Sequence, residues 1–385
     1  MHLKLHRLRF RKRFLILSVP IGIVAMFLVA ELLVRLYFAV TKQDINAFRP
    51  SFYFSDTFMS DRRRFTTHPF LPFFPRPNDE RIIHVYKPDI SQTVTYDYRN
   101  NSLGFRTPER TYEKPVNTKR IITLGGSTTW DGPTNERTWP AILERKLNDY
   151  YEGTNVKIEV INLAIDAGVS AMSLALLNQY GVMFLPDLVI SYDGTNDVWL
   201  TLEGMNVLPD YANYIHPLND RIVSLQYVLP HFLLDYYSVT YFSYAFDRLF
   251  KLDTYLPDQV WHEVPTQMDK ALYSGMPLFL RNIRLMRGVC REYGCNFIAS
   301  IPHNVDPDAT VTAFDYYART FFDKENIPYL DVQNILPHGD YSIHTDDVHW
   351  TDEGLDTVAE MWKEKIIIED LLSIEATGTG RLRSN

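Results

Sequence analysis

The chain has 385 residues, 46% of them hydrophobic, which is enough to bury a full core as one large or two ordinary domains. Its formal charge is −8, but six basic side chains fall within residues 1–13 with no acid among them, so the remainder carries 33 basic against 47 acidic residues, a charge of −14. A body this acidic excludes nucleic acid as the expected partner, because affinity for a phosphate backbone comes largely from Lys and Arg.

The basic head (Lys4, Arg7, Arg9, Arg11, Lys12, Arg13) is followed by seventeen uncharged residues, Phe14 to Ala30, and apolar character continues through Glu31 and Arg35 to Val40. A bilayer core needs about 20 such residues, so 14–40 is expected to be a single transmembrane anchor. Positive charge before it predicts that 1–13 is a cytoplasmic tail and that the rest lies on the extracytoplasmic side. A cleaved signal peptide and a buried helix are the alternatives, but no clean small-x-small cleavage site follows. A lipoprotein is disfavoured, since no cysteine occurs before Cys290. Residues 41–117, centred on Pro69-Phe-Leu-Pro-Phe-Phe-Pro-Arg-Pro77, read as an irregular segment that lays aromatics on the following domain. Within it, Asn101-Ser102-Leu103-Gly104-Phe105-Arg106 is assigned to packing.

From residue 118 the pattern alternates. Strands are predicted at 120–125, 156–162, 187–192, 296–301 and 328–332, and helices near 138–151, 171–184, 277–293, 308–325 and 353–372. Residues 199–276 interrupt the rhythm with scattered aromatics and read as an insertion of short helices on the side of the sheet where the third strand ends. Five parallel strands with crossover helices predict an α/β fold, a three-layer α/β/α sandwich over 118–375, with a disordered tail at 376–385. Cys290 and Cys295 read as two partly buried free thiols, with a bridge as the alternative.

The chemistry centres on Arg120-Ile121-Ile122-Thr123-Leu124-Gly125-Gly126-Ser127, an apolar strand that breaks at two glycines and presents a hydroxyl at the next helix start. A serine hydroxyl needs an imidazole to take its proton and a carboxylate to hold that imidazole, and Asp346-Asp347-Val348-His349 offers both in one turn. Asp346 is the first choice as orienter and Asp347 the second. His344, preceded by Asp340, is the rival histidine, and with His338, Asp346 and Asp347 the region also admits a divalent-metal reading. No phosphate-loop signature accompanies the glycines. His303, after a later strand, is a candidate pocket residue.

Ser127, Gly168 in Asp166-Ala167-Gly168-Val169-Ser170, Asn196 in Asp193-Gly194-Thr195-Asn196-Asp197, and His349 occur in the chain order of the four signature blocks of the SGNH (GDSL-type) hydrolases, which the sequence resembles over roughly 118–365. Gly126 stands where many members carry Asp. The resemblance implies the SGNH, flavodoxin-like form of the sandwich, with Ser127 as nucleophile and Asp346 and His349 completing the catalytic set. It also implies an oxyanion hole from the Ser127 and Gly168 N–H groups and the Asn196 amide. Counting from Asn162, Ala167 is the alternative to Gly168, and an Asx-turn is the alternative use of Asn196. The implied activity is ester hydrolysis without metal or other cofactor, on an acyl, most simply acetyl, ester. An acylated polysaccharide is among the candidate substrates. O-acyl transfer to a glycan and a non-catalytic binding or assembly role are the alternatives.

Overall fold

Runs of Val, Ile and Leu bounded by glycine and asparagine turns form the central sheet of the protein, whose computed structural model describes residues 2–43, 45, 65–66, 68, 70–71, 73–87, 92–202, 233, 236–250 and 276–374. The chain divides into two compact units, Met1–Ser60 with His216–Asp258, and Asp61–Ile215 with Gln259–Asn385.

In the larger unit, β1 (Phe65–Thr66) pairs with β2 (Phe74–Pro75), and β3 (Glu80–Lys87) with β4 (Gln92–Arg99), both antiparallel. Strands β5 (Thr118–Gly125), β6 (Lys157–Asn162), β7 (Leu188–Tyr192), β8 (Asn296–Ile301) and β9 (Tyr329–Asp331) form a parallel five-stranded sheet in the order β6-β5-β7-β8-β9. Strands β5 to β8 are almost wholly buried, as expected of a sheet covered on both faces, and the edge strand β9 buries only Leu330. On one face, helices Trp139–Tyr150 and Asp352–Ile368 bring Trp139, Leu143, Val358 and Trp362 onto Ile121, Val160 and Ile190, with the two tryptophans stacked 6.0 Å apart. Ile122 points to the other face, where it meets Leu177 of helix Ser170–Gln179 around Gly181. Helices Met276–Tyr293 and Ala309–Glu325 pack on that same side. The result is the three-layer α/β/α sandwich predicted, with flavodoxin-like order. The chain leaves β5 to one side for β6 and returns on the other for β7, so the crevice beyond the ends of β5 and β7 is the topological switch point, the usual ligand position in such sheets.

The segment read as irregular contains a regular hairpin. Strand β4 alternates side chains in period two, burying Tyr96 and Tyr98, and the Pro- and Phe-rich neighbourhood hid this pattern. Cys290 and Cys295 are buried free thiols joined through backbone, Cys295 N–H donating to Cys290 O.

In the smaller unit, helix His2–Thr41 contains a stretch, Ser18–Thr41, long and apolar enough to cross a membrane. Within 199–276 the structure describes helix Thr195–Leu202, which extends into it, and helix Tyr237–Leu249; the remainder, like the tail at 376–385, lies outside the described residues apart from a few positions. The whole insertion was expected to belong to the sandwich. Helix Tyr237–Leu249 instead joins the N-terminal helix, because the Glu31 carboxylate accepts from the N–H groups of Tyr237 and Ser238 at 3.1 and 2.8 Å and so caps that helix.

Candidate active site

Ser127 opens the short helix Ser127–Trp130 directly after β5. The turn needs its two glycines for space. A Cβ on Gly125 would stand 2.7 Å from Tyr192 O, and one on Gly126 would stand 2.5 Å from Asn196 Nδ2 and 2.9 Å from Gly168 O. Gly126 therefore lets the Asn196 amide come up against the Ser127 turn, which a side chain at this position would block. An N–H in the first helical turn has no acceptor in its own helix, so the Ser127 N–H is left to a partner from outside it.

The last loop supplies the imidazole. Ser127 Oγ lies 2.9 Å from His349 Nε2, and His349 Nδ1 lies 2.9 and 2.8 Å from the two oxygens of Asp346. Asp346 Oδ1 also accepts from the N–H groups of Val348 and His349 at 3.1 and 2.8 Å, so one carboxylate closes the turn and holds the ring. Thr345 N–H donates to His349 O at 2.7 Å, and Thr351 caps the following helix through Gly354 N–H. The other carboxylate faces elsewhere. Asp347 accepts from the Tyr341 hydroxyl at 2.7 Å. The metal alternative loses its geometry, since no group of three or more His, Cys, Asp or Glu among the described residues is placed to hold an ion.

Asn196 does not use its amide nitrogen within its own turn. Its Nδ2 donates to Gly168 O at 2.7 Å, which fixes one N–H and leaves the second on the side of the Ser127 turn. Asp193 and Asp197 hold this segment from beneath. Asp197 accepts from Ser170 Oγ at 2.6 Å and Ser170 N at 3.1 Å, and Asp193 accepts from Ser173 and Ser191 at 2.7 and 2.6 Å. Burial pushes the Asp193 carboxyl up to about 7. Gly168 departs from its expected use. Its N–H donates to Ile165 O at 2.8 Å, closing a turn, and its missing side chain is what avoids Ile165 O and Gly125 O. Ala167 sits in that turn at φ +60°, a position where glycine is ordinarily favoured.

His344 is not brought to the serine. It is buried, lies tilted against Trp350 with ring centroids 4.3 Å apart, and is 3.2 Å, Nε2 to Nδ1, from His303. His303 lines a cavity of about 20 Å³, room for a single water, together with Thr195, Asn304 and Asp315. Burial, reinforced for His303 by the neighbouring His344, pushes both imidazoles down to about 4. An unfolded histidine takes up its proton near 6.5, so the stability these rings contribute is complete above that pH and is lost as pH falls from 6.5 toward 4. Each ring accounts for about 3 kcal/mol, and the pair for less than twice that because they share one contact. Asp193 and Asp315, both raised to about 7 by burial, run the opposite way. The signature is therefore a difference. Between pH 6.5 and 4.5 the wild type is expected to lose stability relative to His344→Phe in chemical denaturation, and parallel curves would remove the pair from the account.

One contributor was assigned to packing alone. Arg106, 1% exposed, donates to Trp130 O, Gly132 O and Asn135 Oδ1 and lies 4.6 Å over the Trp130 ring, so it pins the loop that leaves the Ser127 helix. The signal was available in part: Arg106 directly follows the run Leu103-Gly104-Phe105, and an arginine is buried only when its donors are met.

Several solved structures are similar to this chain at low identity. An acetyl xylan esterase, AlAXEase, matches at 14% identity over 64% of this chain and 99% of its own, with a TM-score of 0.40. A lipase/acylhydrolase from Enterococcus faecalis matches at 14% over 65% and 96%, with a TM-score of 0.38. A GDSL-like lipase from Bacteroides thetaiotaomicron VPI-5482 matches at 14% over 65% and 89%, with a TM-score of 0.36. No protein-family model and no curated protein matches the chain.

Proposed function

We propose that the protein is a serine esterase that cleaves an acyl ester through an acyl-enzyme. The observation that carries this is His349, held by Asp346 at Nδ1 and 2.9 Å from Ser127 Oγ at Nε2. His349 takes the hydroxyl proton as Ser127 attacks the ester carbon. The charge on the former carbonyl oxygen is met by the Ser127 N–H, the free side of the Asn196 amide and the block-two turn at Ala167-Gly168. His349 then protonates the leaving alcohol, and in the second half activates a water that releases the acid. An acetylated glycan is the first natural substrate to try. The test is hydrolysis of short-chain aryl esters by the full chain against Ser127→Ala. Equal turnover by both proteins would overturn the assignment.

Asn196 separates transition-state stabilisation from folding. Asn196→Ala is expected to lower the acylation rate constant by about 10²–10³, or 3–4 kcal/mol, while loss of the bond to Gly168 O costs roughly 1 kcal/mol of stability. Single-turnover acylation and a thermal melt on the same preparation check this. Normal acylation in a destabilised protein would remove Asn196 from the site.

The segment 14–40 is proposed as a membrane span with the sandwich outside, supported by the length of the apolar helix and the basic residues before it. A reporter active only outside the cytoplasm is expected to be active when fused after residue 380. Activity of a cytoplasmic reporter there instead would reverse the topology.

A further inference from the structure

We propose that helix Tyr237–Leu249 lies in the outer leaflet of the lipid bilayer beside the N-terminal helix, with its aromatic face against acyl chains. This rests on the reading of 14–40 as a membrane span. The helix is inside-out for water. Ser238 and Ser243, each 2% exposed, and Thr240 face inward, while Phe242 and Leu249, at 56% and 76%, and Phe246 and Phe250 face outward. Small hydroxylated residues at a helix contact with large apolar residues outside is the polarity expected in lipid, where the solvent is apolar and polar groups must be met internally.

The inward groups meet that requirement. Ser243 Oγ donates to Val239 O at 2.6 Å, and Ser238 Oγ donates to Glu31 at 2.7 Å. Glu31 also accepts from the first N–H groups of the helix, and Arg35 pairs with it at 2.7 Å while lying 4.5 Å over the Tyr237 ring. A carboxylate in an apolar span is thereby fully engaged, and the donors left over at a helix start are used up.

Depth follows from register. The helix contacts Glu31, Tyr37 and Phe38, and Tyr236 just before it contacts Phe27, so it lies along the half of the span farther from the basic head. Thirteen residues rise about 20 Å, too short to cross a core of about 30 Å, so the helix enters one leaflet only. Leu28, Leu32 and Leu36 of the span are likewise exposed. Between the two helices runs an open groove of about 350 Å³, lined by Phe27, Ala30, Val239, Phe242 and Phe246 besides the two serines, and it suits an acyl chain.

The test places a nitroxide at Phe246→Cys, at Leu28→Cys in the span and at Tyr316→Cys on the larger unit, each in the full chain in phosphatidylcholine nanodiscs, with the parent chain and its buried cysteines as background. Relaxation by oxygen, which concentrates in hydrocarbon, is compared with relaxation by a water-soluble nickel chelate. The oxygen-to-nickel ratio is expected to be several-fold higher at positions 28 and 246 than at 316. A lipid-like value at 28 with a water-like value at 246 overturns this proposal and leaves the span standing. Protection of 246 from both reagents also overturns it, because a protein then covers the face. A water-like value at 28 removes the span, and this proposal falls with it.

Discussion

Ser127→Ala is expected to reduce kcat on an aryl ester by about 10⁶-fold, and His349→Ala by nearly as much, with the double variant little worse than either. The non-additivity is the point. The Ser127 hydroxyl is a weak nucleophile unless His349 Nε2, 2.9 Å away, accepts its proton during attack, so removing either partner removes the same step. Neither change should unfold the chain. Ser127 is half-buried at a helix start and fills no core position, so the thermal midpoint of Ser127→Ala should match the wild type. Steady-state kinetics on the three variants check this, and a double variant whose loss is the product of the two single losses would show that the residues act independently.

Asp346→Asn should cost about 10⁴-fold, less than loss of the serine or histidine, and Asp347→Asn should cost almost nothing. Asp346 accepts from Val348 N–H, His349 N–H and the ring at once. An asparagine can keep its oxygen on the two backbone donors, so the turn survives. Its NH₂ group then faces Nδ1, forces the proton onto Nε2, and leaves no base facing Ser127. Asp347 is directed at Tyr341, and an amide oxygen can replace its carboxylate there. Kinetics on the two carboxamide variants decide the matter, and greater damage from Asp347→Asn would mean that the wrong carboxylate has been assigned.

The sandwich was legible because parallel strands buried on both faces must be written as near-continuous apolar runs. Ile121–Leu124, Val160–Ile161 and Leu188–Ile190 are such runs, and their boundaries fall within two residues of those predicted. Ser127, Asp346 and His349, put forward from the sequence as one set, come within hydrogen-bond distance of one another, since each sits in a short turn whose length limits where the side chain can go. Gly168 carries a requirement that its position in the sequence does not display, since its lack of a side chain is what the close backbone contacts with Ile165 and Gly125 need. Hairpin β3–β4 escaped notice because its buried tyrosines alternate with charged residues amid prolines and phenylalanines. The partnership of Glu31 with Tyr237 and Ser238 joins residues about two hundred positions apart, and no local pattern encodes a contact of that range.

The central claim is that His349 activates Ser127. Incubating the full chain with a fluorophosphonate probe and mapping the adduct by peptide mass tests it most directly, because such reagents modify a serine whose proton is being removed and pass over an ordinary hydroxyl. The account predicts a single adduct on Ser127, absent from Ser127→Ala and lost or greatly slowed in His349→Ala. An unlabelled protein, or equal labelling when His349 is replaced, would contradict it.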